Sequence, residues 1–129
     1  MLFRSQSHDA LAACDVTLVA SGTATLEAAL FKRPMVIAYN MHWLSWQLMR
    51  RQRLQPWVGL PNILLQDQAV PELLQEQATP EALALELEHW LNSPQQVLDL
   101  QQRFEQLHLT LTRDTPTLVT DAIQEILAR

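Results

Sequence analysis

The sequence predicts an α/β fold in which a few parallel strands are followed by a helix-rich C-terminal half. Three observations predict it. Two short apolar runs, Asp15-Val16-Thr17-Leu18-Val19-Ala20 and Met35-Val36-Ile37-Ala38-Tyr39, have the length and β-branched content of buried strands. Between them, Ala24 to Phe31 is rich in Ala and Leu and reads as a helix, and strands joined in this way form a right-handed βαβ unit with a parallel sheet. Further on, Thr79-Pro80, Ser93-Pro94 and Thr115-Pro116 each place an N-cap residue before a proline at the first helical position.

The elements follow in order. Ser7 to Ala13 is predicted as a short helix capped by Ser5 or Ser7. The first strand comes next, then a turn at Ser21-Gly22-Thr23, the helix, Pro34 beyond its end, and the second strand. Met41 to Arg53 combines two tryptophans with three arginines in a helical stretch. The helix after Pro80 aligns Leu83, Leu87, Trp90 and Leu91 on one face. The next aligns Val97, Leu100, Phe104, Leu107 and Leu111, a stripe too short for a coiled coil, and carries a capping box at Ser93 and Gln96. The last aligns Val119, Ala122, Ile123, Ile126 and Leu127. These faces are expected in a core or a helix–helix interface. The organisation predicted is an incomplete α/β region over residues 1–92 and C-terminal helices over 93–129 that pack on it or on a partner chain. Two parallel strands need neighbours and cover on both faces, so the chain is either the tail of a larger domain or completes itself by oligomerising.

Composition narrows the function. The chain has 129 residues, 48% of them apolar and 18% charged, with a formal net charge of −5. No nucleic-acid partner is expected of such a balance. Cys14 is the single cysteine, expected as a small core residue, and excludes an intramolecular disulfide and a cysteine-cluster metal site. No stretch reaches the roughly 18 apolar residues of a membrane span, and the first residues turn polar too soon for a signal peptide, so a cytoplasmic protein is expected. His8, His42, His89 and His108 lack metal-ligand spacing, so no metal is expected. Only Gly22 and Gly59 are glycines, few for an α/β domain, which hints that part of such a domain lies elsewhere.

The charge is uneven. Residues 28–66 carry Lys32, Arg33, Arg50, Arg51 and Arg53 and no acid, between acidic flanks. Such a middle suits an anion, or a solvated basic helix face. The segment with most chemical content is Ser21-Gly22-Thr23-Ala24-Thr25-Leu26-Glu27. It sits at the C-terminal end of a parallel strand, where open α/β sheets bind ligands, and opens a helix whose free N–H groups suit a phosphate. Ser21, Thr23 and Thr25 add hydroxyl donors, Gly22 allows close approach, and Glu27 one turn on has the chemistry to accept from a ribose diol. The same residues also fit plain helix capping, with Glu27 at or near the capping-box position.

The run from Ser7-His8-Asp9-Ala10 through Asp15 to Leu30 resembles the C-terminal domain of lipid-A-disaccharide synthases. So, in the same order and spacing, do Arg33-Pro34-Met35-Val36-Ile37-Ala38-Tyr39, Val58-Gly59-Leu60-Pro61-Asn62-Ile63-Leu64 and Val70-Pro71-Glu72-Leu73-Leu74-Gln75. The resemblance covers residues 7–92 best. It implies a partial Rossmann-like C-terminal domain of a GT-B glycosyltransferase, the part that holds the UDP-sugar donor. Such enzymes join UDP-2,3-diacylglucosamine to 2,3-diacylglucosamine 1-phosphate through a β-1,6 bond, with inversion and release of UDP, in lipid A biosynthesis. By this resemblance Ser21, Gly22, Thr23 and Ala24 cradle the UDP phosphates and Glu27 takes the ribose hydroxyls. Tyr39, Asn40, Asn62, Glu72, Gln75 and His8 line the donor cleft, with Asn62 the one catalytic candidate. The sequence departs from the family at Asn40, where a basic residue is usual.

The resemblance also implies that no cofactor or metal assists. The acceptor domain, the base and the first strands of the donor domain are expected ahead of this sequence, so the chain alone is not expected to turn over. Trp43, Trp46, Arg50, Arg51 and Arg53 fit a helix that docks on an anionic membrane, which for acylated substrates means the inner face of the cytoplasmic membrane. A core helix with a basic last turn fits them too. Two other functions stay open: another UDP-GlcNAc-using GT-B enzyme, and a non-catalytic module whose helices pack across a homodimer.

Overall fold

Helix α1 (Ser7–Ala13) leads into strand β1 (Thr17–Val19), and helix α2 (Thr23–Leu30) returns the chain to strand β2 (Met35–Tyr39). The computed structural model describes residues 6–20, 22–52, 55–112 and 115–127. Helices α3 (Trp43–Gln52) and α4 (Leu60–Leu65) follow, then strand β3 (Glu72–Leu74), a 3-10 turn (Gln75–Gln77), and helices α5 (Pro80–Leu91), α6 (Pro94–Leu111) and α7 (Thr115–Leu127). The three strands form one parallel sheet in the order β1-β2-β3, with Val19 opposite Ile37 and Tyr39 opposite Leu74. The α/β architecture is the expected one. Strand β3 was not foreseen, because Glu-Leu-Leu has helical propensity and becomes a strand only by pairing with β2.

The core is built around β2. Met35, Val36 and Ile37 are fully buried, as a strand covered on both faces requires. Ala28 and Ala29 bring α2 close to the sheet, and Trp90, Leu100 and Phe104 from α5 and α6 join the same cluster. Trp90 stays fully bonded there by donating from Nε1 to the Met35 carbonyl at 3.2 Å. Helices α5 and α6 therefore share one core with the sheet. Burying Phe104 alone contributes about 2–3 kcal/mol to that core.

Several helix-face expectations need correction. Leu83, Leu87 and Val97 pack against the core, but Leu91 and Leu111 are exposed, since the covered stripes end before they do. On α7, Val119, Ile123, Ile126 and Leu127 face solvent, as does every side chain described from residue 116 onward. An amphipathic pattern tells which face seeks cover, not where the cover comes from. Cys14 is half-buried rather than a core residue, its thiol donating to the Leu11 carbonyl at 3.5 Å.

The helix ends are equally instructive. Thr79 caps α5 as expected, its Oγ1 accepting from Ala82 N at 3.2 Å. The capping box at Ser93 does not form: Ser93 makes no side-chain cap bond, and Gln96 pairs through Oε1 with His89 Nε2 at 2.8 Å. Ser7 is the first residue of α1 rather than its cap, and Ser5 lies outside the described residues. Helix α7 is counted from Thr115, so Thr115 stands within it rather than before it. Arg33 donates from Nε to Leu11 O at 2.9 Å and from Nη2 to Ala12 O, closing the carbonyl end of α1. Lys32 lies 2.7 Å from His108 Nδ1 and 3.2 Å from Glu105, which ties the end of α2 to α6. Two of the five cations in the basic middle thus serve the fold.

Candidate nucleotide-binding site

The turn between β1 and α2 lies at the C-terminal end of the sheet. Gly22 is the N-cap of α2 at φ 78°, ψ −153°, a region that is essentially glycine's alone. A Cβ at Gly22 would meet nothing within 4 Å, so the dihedral demands glycine and the space above it is open. Thr23 and Ala24 are exposed as the first two residues of α2. Among the described residues, nothing accepts from their backbone N–H groups. Among the described residues, the positive end of α2 therefore presents two N–H donors without an acceptor beside an open space, an arrangement suited to a phosphate. Ser21 lies outside the described residues.

The helix starts later than a capping box at Glu27 requires: Gly22 is the N-cap, and Glu27 is the fifth helical residue rather than the third. Its carboxylate stands 3.9 Å from His8 Nε2, with 41% of the Glu27 side chain exposed. The His8 ring tilts against Phe31 at 5.5 Å between centroids. The fold thus brings His8 and Glu27 together one helical turn from Gly22. Thr25 departs from expectation. It is fully buried, donates from Oγ1 to the Gly22 carbonyl at 2.7 Å, and accepts from Leu60 N at 3.3 Å. Its hydroxyl faces inward and is not offered to a phosphate.

The other cleft residues divide the same way. Tyr39 is half-buried and Asn40 exposed at the end of β2, on the edge shared with the turn. Gln75 pairs twice with Met41: Met41 N donates to Oε1 at 2.8 Å, and Nε2 donates to Met41 O at 3.0 Å. Glu72 accepts from Val58 N and from Gly59 N, each at 2.8 Å, and from Asn62 Nδ2 at 2.8 Å. Asn62 also donates to Val70 O at 2.9 Å and accepts from Val70 N at 3.0 Å. Fully buried and with both amide protons donated, Asn62 has no donor left for a substrate. Asn62, the catalytic candidate, thus has its amide taken up by Val70 and Glu72, while Glu72 and Gln75 are half-buried and already bonded within the chain.

This network explains Gly59. A Cβ there would overlap Ile37 Cδ1 and stand 3.0 Å from Glu72 Oε1. Glycine lets the backbone N–H reach the carboxylate at the start of α4. Neither this role nor that of Thr25 was foreseen. A buried threonine and an interior glycine have no sequence signal of their own, although the spacing between Gly59 and Glu72 was visible.

Helix α3 carries an exposed apolar face. Trp43 is 66% exposed, Leu44 63% and Leu48 59%, with Arg51 beside them and Arg50 exposed in the same last turn. Trp46 is half-buried, and Arg53 lies outside the described residues. Among the described residues, Arg50 and Arg51 enter no ion pair. No described helix is long and apolar enough to cross a membrane, and no described group of three or more His, Cys, Asp or Glu is placed to hold a metal ion.

A parallel sheet with a glycine turn opening onto a helix N-terminus at its C-terminal edge defines the class as a partial Rossmann-like α/β protein, with that edge its candidate ligand site. Comparison with known proteins makes the class specific. The family model for lipid-A-disaccharide synthetase matches residues 1–123, and the chain belongs to that family. It is 63% identical to the lipid-A-disaccharide synthase of Albidiferax ferrireducens over 130 residues, covering 98% of this chain and 33% of that protein. It is 61% identical to that of Verminephrobacter eiseniae, over 98% of this chain and 34% of that protein. With that of Aromatoleum aromaticum the identity is 53%, over 94% and 31%. The chain spans about a third of the length of the curated relatives it matches.

Proposed function

We propose that this chain is the UDP-sugar-binding part of a lipid-A-disaccharide synthase, a GT-B glycosyltransferase. The observation that supports this most is the Gly22 turn, with its positive φ, its open space and the unaccepted N–H groups of Thr23 and Ala24. In the proposed complex the diphosphate of UDP-2,3-diacylglucosamine lies on this helix N-terminus, and Glu27 accepts from the ribose hydroxyls. When the 6-hydroxyl of 2,3-diacylglucosamine 1-phosphate attacks the anomeric carbon, a C–O bond forms with inversion and the bond to UDP breaks. Charge then grows on the departing diphosphate, where the fixed N–H dipoles stabilise it without reorganising. The hydroxyl proton goes to a base that the family resemblance places outside the matched third, so this chain is proposed to hold the donor rather than turn over alone. No metal or cofactor enters the proposal.

Titration with UDP, followed by backbone amide shifts, tests this. The expected result is saturable perturbation centred on residues 22–27. No perturbation at millimolar UDP refutes it. Two partners belong to the same proposal. The exposed Trp43-Leu44-Leu48 face with Arg50 and Arg51 supports docking of α3 on an anionic membrane surface, at the cytoplasmic face where acylated substrates reside. The exposed apolar face of α7 supports packing against a second copy of the chain, which light scattering decides.

A further inference from the structure

The buried Thr25 hydroxyl joins two parts of the chain that are far apart in sequence. Its Oγ1 donates to the Gly22 carbonyl at 2.7 Å, and the backbone N–H of Thr25 donates to the same oxygen at 3.1 Å. Two donors on one carbonyl pin the peptide that follows Gly22, whose φ of 78° would otherwise be free to relax. The same Oγ1 accepts from Leu60 N at 3.3 Å, at the first residue of α4. Helix α4 is itself fixed one residue earlier. Glu72 receives Val58 N, Gly59 N and Asn62 Nδ2 as an internal anion, in the place where a helix start commonly takes a ligand's phosphate. A continuous path of hydrogen bonds thus runs from β3 through Glu72, the start of α4 and Thr25 to the carbonyl of Gly22.

From this geometry we infer that Thr25 is a positioning residue for the nucleotide turn, and that it holds the turn against the Glu72-anchored start of α4. It does not touch the ligand. It sets the direction of the Thr23 and Ala24 N–H groups, which do. This inference rests on the proposed binding of the donor nucleotide at the same turn. It differs from capping, because a cap satisfies its own helix, whereas Thr25 connects the helix start to a second element 35 residues away.

Three substitutions test it in the full chain, with UDP affinity from amide shifts and stability from thermal melting measured side by side. Thr25→Val keeps shape and burial but removes the hydroxyl, and should weaken UDP about fivefold to tenfold, the scale of one or two lost neutral hydrogen bonds. Thr25→Ser restores the hydroxyl and should recover most of that affinity. Thr25→Ala removes the hydroxyl and the methyl together and should weaken UDP severalfold. Alanine is the better helix former and crowds nothing, so the test stands even if Thr25→Val fails to fold. UDP affinity within twofold of the unsubstituted chain in folded Thr25→Val or Thr25→Ala overturns the inference, as does failure of Thr25→Ser to recover affinity. If the unsubstituted chain itself shows no shifts with UDP, the nucleotide proposal falls. If it binds and the variants bind equally, only the positioning role falls.

Discussion

Replacing Gly59 with alanine probes how tightly the start of α4 is seated. The backbone at Gly59, φ −76° and ψ 133°, is one that alanine adopts readily, so any cost is steric. The added methyl overlaps Ile37 Cδ1 and crowds Glu72 Oε1 at 3.0 Å. Ile37 is fully buried in the central strand and has little room to turn aside. Overpacking of this kind costs about 1–3 kcal/mol, while loss of glycine's freedom in the unfolded chain returns about 0.4–1 kcal/mol. A net destabilisation of about 1–2 kcal/mol is expected. Ile37→Val removes the clashing Cδ1 and by itself costs about 0.5–1.5 kcal/mol. The new methyl fills the space that Cδ1 vacates, so the double variant should be more stable than the two single costs predict, by about 1 kcal/mol or more. Urea unfolding of the four chains, with midpoints compared at constant slope, measures this coupling. Additive costs would refute the claim that Gly59 is required by its approach to Ile37 and Glu72.

Glu27→Ala should weaken UDP by about 1–3 kcal/mol, the scale of a lost charge-assisted hydrogen bond, while melting stays close to that of the unsubstituted chain. A lowered melting temperature with unchanged UDP affinity would return Glu27 to a purely structural role. Asn62→Leu leaves the N–H and C=O of Val70 buried without partners and should destabilise by about 3 kcal/mol, at about 1–3 kcal/mol for each orphaned group; near-native stability in urea would contradict the network. Arg50→Glu with Arg51→Glu should abolish flotation with phosphatidylglycerol vesicles, because each basic side chain near an anionic surface is worth about 1 kcal/mol. Flotation that survives the charge reversal would remove α3 from the membrane.

Much of the fold was legible because its signals are local. The runs at 15–20 and 35–39 gave two strands, and the helix between them fixed their parallel sense. Thr79 announced its cap. Elements that depend on distant partners were hidden. Glu72-Leu73-Leu74 is a strand only because Ile37 to Tyr39 lie beside it. Ser93 and Gln96 have the letters of a capping box, yet His89, seven residues before Gln96, takes the glutamine. The apolar stripe of α7 was equally legible as a pattern, but its exposure was not, because a stripe carries no address for its cover.

Of the candidate site, the place in the fold was legible: a β-branched run followed by Ser-Gly-Thr marks a strand-to-helix turn, and β1 and α2 flank one there. Chemistry was recoverable only as residue type. A carboxylate, a primary amide and a hydroxyl look alike in sequence whether they wait for a ligand or already hold the chain's own N–H groups. Here the structure divides them. Glu27, with His8 beside it, keeps 41% of its side chain exposed, whereas Thr25, Asn62, Glu72 and Gln75 bond to groups of the chain's own backbone. The division has a physical logic. A bare helix N-terminus binds phosphate well only if its N–H groups are already aimed, and α2 is too short to hold its first turn rigid by itself. Thr25, Asn62 and Glu72 supply that rigidity by linking α2, α4 and β3. An exposed Gly22 free of side-chain contacts can then remain open to a ligand without the turn collapsing.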